Sequence, residues 1–320
     1  LIEMTAMPPS SLSTLRHDIG VGLTLMVISV LISPIIDIFS KLSVAHVPAV
    51  EVTLFRFVVQ VVFLLPIVLM RGTLWDLTWK KTGLHALRGL LATVVMVSFT
   101  MALAVMELAD AIAIFFVEPI ILTILGSIVL KETIGWRRYT ACVVGFVGAL
   151  LVIQPSLQEV GPVALLPVVA AFAFAIFLLI TRFASQSEDP WSMQTHAGLW
   201  GAIFTGALLA AGGPTGLAAL TPVMPDRLNG FFLLGVGAAA TISGVLSVYA
   251  YRAAPASTLA PLQYLEIVSA TILGWWVFGD LPDPLKWLGI AIIISSGLYI
   301  IWRERKLNKT ASIPPVSPAI

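Results

Sequence analysis

Two glutamates, Glu118 and Glu266, each stand in the middle of an apolar run long enough to cross a membrane, and they lie 148 positions apart. At that same offset Gly126 meets Gly274 and Glu132 meets Asp280, within the windows 109–132 and 257–280. A carboxyl group at the centre of a bilayer is costly to place and is functional by default. Such a group binds a cationic or amine group, or carries a proton, a role that burial suits. The bland alternative is a structural carboxyl serving the backbone: Pro119 inside a continuous helix would free the carbonyl of Phe115, which a protonated Glu118 could satisfy. Finding the carboxylate twice in register points to an internally duplicated membrane protein with a polar pathway inside.

Further groups could line that pathway. Arg56 and Gln60 are four apart and share a helix face, with Glu51 at the start of the same run. Arg56 is too deep to reach water, so it needs a partner, and Asp37 is the first candidate with Glu51 next. Arg56 would clamp a substrate carboxylate bidentately, or else pin two helices as an ion pair. Lys41, four after Asp37, competes for it. Near Glu266, Gln263 shares its face while Tyr264 points about 100° from Gln263. Phe172, with Phe174 and Phe177, could stack on a flat substrate, although packing or lipid contact explains such a stripe as well. His196 is a weaker candidate, as a proton carrier or a hydrogen-bonded interface residue. Arg88 reads as snorkelling to lipid phosphates, and Trp75 and Trp79 with Lys80 and Lys81 as an interfacial anchor.

The elements that must position these groups are membrane spans. The chain has 320 residues, 58% hydrophobic and 11% charged, far below the roughly 25% charge of a soluble domain. Its mean hydropathy is +0.99. Ten segments reach span length: 19–39, 49–70, 84–105, 109–130, 138–153, 162–181, 192–212, 230–251, 255–279 and 284–302. Alternating strands of the barrel type are absent. Arg16 precedes the first span and no small-residue cleavage site follows it, so it reads as retained. Leu1-Ile2-Glu3 reads as a remnant ahead of a start at Met4 or Met7. The lone Cys142 sits in an apolar run as a small buried hydrophobe.

With the N-terminus cytoplasmic, the inner loops hold fourteen lysines and arginines and the outer loops three, Lys41, Arg227 and Lys286. That is a strong positive-inside bias and places both termini in the cytoplasm. Five spans per half is odd, so the second half enters from the opposite side. The loop after span four carries Lys131, Arg137 and Arg138, whereas its counterpart after span nine carries Asp280 and Asp283. The expected fold is an all-α membrane protein of ten transmembrane helices in two inverted-topology five-helix repeats, an architecture of transporters. The expected organisation is a leader 1–18, repeats 19–153 and 162–302 joined by a linker at 154–161, and a tail 303–320 whose end is disordered. Gly145 with Gly148, Gly235 with Gly237 and Ser295-Ser296-Gly297 mark close helix contacts.

Glu118-Pro119, Lys131-Glu132, Gly145 and Gly148 in the first half, and Ala260-Pro261-Leu262, Glu266 and Gly274-Trp275-Trp276-Val277-Phe278-Gly279-Asp280 in the second, resemble the ten-helix EamA-type branch of the drug/metabolite transporter superfamily. The resemblance covers about 19–302. It implies a secondary carrier whose site is lined by spans one, three, four, six, eight and nine, with members that export amino acids and others that import riboflavin or S-adenosylmethionine. The second half has Glu266-Ile267 where the first has Glu118-Pro119, so the two helices need not bend alike. The Gln263-Tyr264-Leu265-Glu266 wording is closer to the importing members.

No HExxH, GxSxG, CxxC or GxxxxGK[ST] pattern is present, which argues against an enzyme or an ATP-driven pump. A channel should present rings of like groups, and here one chain supplies two unlike halves. The expectation is therefore a non-enzymatic inner-membrane carrier, working by alternating access as a monomer in a lipid bilayer. It would take a small-molecule substrate, with protons as the candidate coupling ion, no cofactor or metal, and no nucleic acid. Export of amino acids, aromatic ones included, is the first expectation, and uptake of riboflavin, S-adenosylmethionine or a similar compound the alternative. The candidate substrate-binding set is Glu118, Glu266, Gln263, Arg56, Asp37, Tyr264, Phe172 and His196.

Overall fold

A computed structural model describes residues 9–72, 79–130, 136–184, 188–212, 217–253, 259 and 262–311. Trp75, Lys131-Glu132, Ala260-Pro261 and the tail beyond 311 lie outside the described residues. We number the helices α1 (Pro9–Val44), α2 (Ala49–Arg71), α3 (Trp79–Leu103), α4 (Leu108–Phe115), α5 (Glu118–Leu130), α6 (Trp136–Val160), α7 (Leu166–Ala184), α8 (Pro190–Gly212), α9 (Arg227–Ala253), α10 (Leu265–Phe278) and α11 (Pro284–Ala311). No strand occurs among the described residues.

Lipid offers the backbone no hydrogen-bond partner, so a spanning segment must satisfy its own amides, which a helix does. Gly20–Val44, Ala49–Arg71, Lys81–Leu103 and Arg227–Ser247 are each long and apolar enough to cross, as is the 42-residue stretch Thr140–Thr181 that holds α6 and α7. Leu265–Phe278 and Pro284–Tyr299 are shorter apolar stretches. With α4–α5 taken as one broken span, the chain crosses ten times in two inverted five-helix repeats.

Helix contacts obey the exchange of halves. The halves interdigitate: α1 packs on α9, and its counterpart α7 packs on α3. The α3–α8 contact is mirrored by α9–α2, and α7 on α5 by α1 on α10. The contacts α2–α8 and α6–α11 map onto themselves, as does that of span four with span nine, seen here as α4 on α10. A pseudo-twofold axis therefore passes between spans four and nine. The connections 44–49, 103–108, 160–166, 212–227 and 278–284 share one end of the bundle, called here the first end.

Small residues set the closest approaches. A Cβ on Gly289 of α11 would stand 2.7 Å from the Gly148 carbonyl oxygen of α6, and one on Gly237 of α9 would stand 2.3 Å from Val59 Cβ of α2. With no hydrophobic force between helices in lipid, this close packing is what holds them together.

Several boundaries differ from the sequence reading; the last helix, for one, runs to Ala311, nine residues into the expected tail. The fifth span, expected at 138–153, is the 25-residue α6, because Pro155 is carried inside the helix. The expected linker at 154–161 is accordingly helical to Val160, and the turn comes at Gly161, whose φ of +70° suits glycine. The first helix extends the expected 19–39 at both ends, to Pro9 and Val44.

Candidate functional site

Spans four and nine both break at the axis. α4 ends at Phe115 and α5 starts at Glu118, with a turn at Phe116–Val117. In span nine Leu262 and Gln263 are helical, Tyr264 is a turn and α10 starts at Leu265. Phe116 and Tyr264 are equivalent positions at the 148-residue offset, and their rings meet with centroids 5.4 Å apart. Each carboxylate thus lies in the first turn of a half-helix, Glu118 in α5 and Glu266 in α10. The positive end of the helix dipole favours negative charge there, and half-helix termini at the midplane recur in secondary transporters.

The expected kink at Pro119 is corrected. Proline occupies the first turn of a new helix, where its missing N–H would have no partner anyway. The Val117 carbonyl accepts from both Ile120 and Ile121 amides, each at 3.1 Å, so the new helix starts without a protonated Glu118 bridging the gap.

The two carboxylates differ in surroundings. Ser33 of α1 donates to Glu266 Oε1 at 2.6 Å. Asp37, one turn further along α1, lies within electrostatic reach of both Glu266 and Arg56. Among the described residues, the buried Arg56 Nε has no hydrogen-bond partner. One turn along α2, buried Gln60 donates from Nε2 to the Gln194 carbonyl at 3.1 Å, and its Oε1 finds no partner among the described residues. This group is polar and joins both halves. Glu51 faces elsewhere, accepting from the Val223 amide at 2.9 Å, and Lys41 pairs with Asp280 at 3.0 Å instead of with Asp37.

Glu118 instead has a buried Oε1 with no partner among the described residues. The adjoining end of α4 opens an aromatic series: Phe115 packs on Phe99 (5.4 Å) and on Phe174 (5.5 Å), and Phe174 stacks on Phe177 (5.9 Å). Arg88 caps the series, its guanidinium 5.0 Å from the Phe177 ring. Tyr264, only 5% exposed, feels the charge of Glu118, and its hydroxyl occupies the space a side chain on Gly297 would need.

Three expectations change on these contacts, and of the two readings of His196 the contacts favour one. Phe172 is half exposed on the stripe it shares with Leu165 and Val169, so the inward rings of α7 are Phe174 and Phe177. His196 donates from Nδ1 to the Ser192 carbonyl (2.7 Å) and stacks on His85 (4.7 Å), whose Nε2 meets Glu188 at 2.8 Å. It belongs to an interface near the second end of the bundle. Arg88 does not snorkel: it is 1% exposed and donates to Thr181 Oγ1 and the Met193 carbonyl. Gln263, half-buried, lies just before the break and Tyr264 on it, so Tyr264 is the more central of the two.

Two groups escaped the sequence reading. Ser33 is four before Asp37, a spacing that could have flagged it. Asp110 in α4 meets Lys286 of α11 at 2.8 Å, both side chains nearly fully buried, and only its place in an apolar run gave any signal.

The sequence profile of the EamA-like transporter family matches residues 20–154 and again 161–302. The chain is 29% identical over 285 residues to an S-adenosylmethionine uptake transporter of Rickettsia prowazekii (strain Madrid E), covering 89% of this chain and 94% of that protein. It is 30% identical over 290 residues to the one of Rickettsia bellii (strain RML369-C), covering 91% and 96%. A riboflavin transporter of Vibrio cholerae is 29% identical over 271 residues, covering 83% and 87%. One protein crystal structure superposes with a TM-score of 0.59 at 15% identity, covering 87% of this chain and 98% of that one, a likeness of fold.

Proposed function

Because this chain belongs to the EamA-like transporter family, a membrane-embedded carrier of small metabolites, we propose that it imports a compound bearing both a positive charge and a flat ring. S-adenosylmethionine is the first candidate. Of the two readings open from the sequence, uptake has more support than amino-acid export, since relatives matching nearly the full chain are S-adenosylmethionine and riboflavin transporters. The observation that carries the reading is the division of labour across the Phe116–Tyr264 contact. On one side Glu266, Asp37 and Ser33 outnumber Arg56, chemistry that takes an ammonium or sulfonium together with a carboxylate. On the other, Phe115, Phe174 and Phe177 offer ring faces for a flat heterocycle.

Alternating access would rock the halves about the breaks, with both termini cytoplasmic and the first end of the bundle outward. Protons are the candidate coupling ion, carried by Glu118 or Glu266. Riboflavin is the second reading, favoured by the aromatic series, and it would make little use of the ionic cluster.

Counterflow in proteoliposomes tests these readings. Vesicles preloaded with unlabelled S-adenosylmethionine should accumulate the labelled compound, and Glu266→Gln and Phe174→Leu should each abolish accumulation. Counterflow of riboflavin that ignores Glu266→Gln selects the second reading. Counterflow of amino acids alone refutes both. Repeating the assay under an imposed pH gradient tests coupling: an unchanged initial rate refutes it.

A further inference from the structure

At the first end of the bundle, above the site, a cavity of about 570 Å³ opens between the tips of α1, α3, α9 and α10. Lys41, His46, Asp226, Asn229, Phe232 and Phe278 are among its walls. A cation already sits in it: the Lys41 ammonium lies 4.6 Å from the Phe278 ring centroid and 3.0 Å from Asp280 Oδ2. A ring face and a carboxylate around one ammonium is the chemistry that recognises organic cations.

An acceptor on the cavity wall stands without a donor. Asn229 is 6% exposed, and on the cavity wall its buried Oδ1 has no hydrogen-bond partner among the described residues. Asp226 accepts from the Asn229 backbone amide at 2.7 Å and from its Nδ2 at 2.8 Å. The backbone bond from Asn229 holds the Asp226 carboxyl below its ordinary range, and nearby His46 adds to the effect. A persistently negative group therefore stands at the mouth, with an orphan carbonyl beside it.

We propose that this vestibule is an outer subsite for an organic cation, a sulfonium or quaternary ammonium, which displaces Lys41 from Phe278 and Asp280 on its way to the central site. The inference rests on the uptake reading. Displacement exchanges one cation for another, so it leaves no charge unpaired at the ring. A tertiary sulfonium or quaternary ammonium holds its hydration shell more loosely than the lysine ammonium does, which favours the exchange. The next station is close, because Lys41, Asp37, Ser33 and Ser29 recur every fourth residue of α1, about 6 Å per step. Each meets a second-half helix or its end: Lys41 meets Asp280, Asp37 and Ser33 meet Glu266, and Ser29 meets Ser243 and Ser247. Lys41 also joins the two halves, so its release loosens the first end as the cation passes.

The test is protection from alkylation. Leu228, 60% exposed on the cavity rim, is replaced by cysteine in a Cys142→Ala background, and right-side-out vesicles are labelled with a membrane-impermeant thiol reagent. Tetramethylammonium and S-adenosylmethionine should each slow labelling about threefold relative to sodium at equal ionic strength, the size of one cation–π contact. The uncharged thioether S-adenosylhomocysteine should protect less than S-adenosylmethionine. Phe278→Leu and, independently, Asp280→Asn should remove the protection. Equal labelling rates in tetramethylammonium and sodium, or protection that survives both variants, would overturn the subsite. Protection by tetramethylammonium without any S-adenosylmethionine uptake upholds the subsite and refutes the substrate reading, whereas uptake without protection does the reverse.

Discussion

Lys286 is a single cation on which three helices depend, and its removal should be costly. Its Nζ donates to Asp110 of α4 at 2.8 Å and to the Glu159 carboxylate of α6 at 2.9 and 3.1 Å. The two acids are not equivalent: Asp110 is 2% exposed and Glu159 52%, so only Glu159 can turn to water when the lysine goes. Asp110 Oδ1 already lacks a partner among the described residues, and Glu107 adds like charge nearby. Lys286→Met should therefore strand one buried carboxylate, a loss of about 3–5 kcal/mol. At roughly 2 °C per kcal/mol for a chain of this size, melting in detergent should fall by about 6–10 °C. The double variant Lys286→Met/Asp110→Leu removes both charges and should return to within about 1 kcal/mol of the parent or exceed it. Thermal melts of the parent, both single variants and the double close the cycle. A single variant melting within about 2 °C of the parent, or a double as weak as the single, would refute the assignment of Lys286 as the brace of a buried acid.

Three further outcomes follow from the same contacts. Gly297→Ala places a Cβ only 1.5 Å from Tyr264 Oη, an overpacking cost of about 1–3 kcal/mol; it should lower the melting temperature and counterflow together, and Tyr264→Leu in the same chain should restore the first. Glu107, in the turn between α3 and α4, has its carboxyl pushed up by burial and then by Asp110. A folded-state value above the unfolded one means stability is lost as pH rises above the unfolded value, so Glu107→Gln should raise the melting temperature at neutral pH, and the gain should vanish below about pH 4. Phe172→Ala should leave counterflow within twofold and stability within about 0.5 kcal/mol, while Phe174→Ala, which removes ring contacts to Phe115 and Phe177, should lower both.

The spans were legible because hydropathy and charge placement are properties of the chain itself. So was the register of Glu118 with Glu266, because duplication writes it as a constant offset. The breaks were not. Proline was the visible cue, and it misled: span nine breaks at Tyr264, the position equivalent to Phe116, although Ile267 stands where the first half has Pro119. What the two breaks share is the place where spans four and nine meet on the axis, Phe116 against Tyr264, which is a tertiary fact. Arg88 and Lys286 were misjudged or passed over for the same reason. Their partners, Met193, Asp110 and Glu159, lie more than 100 residues away, and nothing local to an arginine near a span's start says whether it will meet lipid phosphate or a buried carbonyl.

Inverted duplication makes the two halves pack alike and leaves them free to differ in chemistry. The face of α1 that meets α10 brings Ser33 and Asp37 to the second-half carboxylate. The equivalent face of α7 meets α4 and α5 and brings Phe174 to Phe115, beside the first-half carboxylate. Two identical polar sites would bind a symmetric dication, and two identical aromatic ones a neutral stack. On the uptake reading proposed above, a charged cluster and a ring series related by a twofold axis, and touching through Phe116 and Tyr264, would fit a molecule whose two ends differ in the same way. Rocking of the halves would then exchange which end of that molecule is uncovered first, so such a carrier should discriminate its substrate most sharply by the spacing between charge and ring.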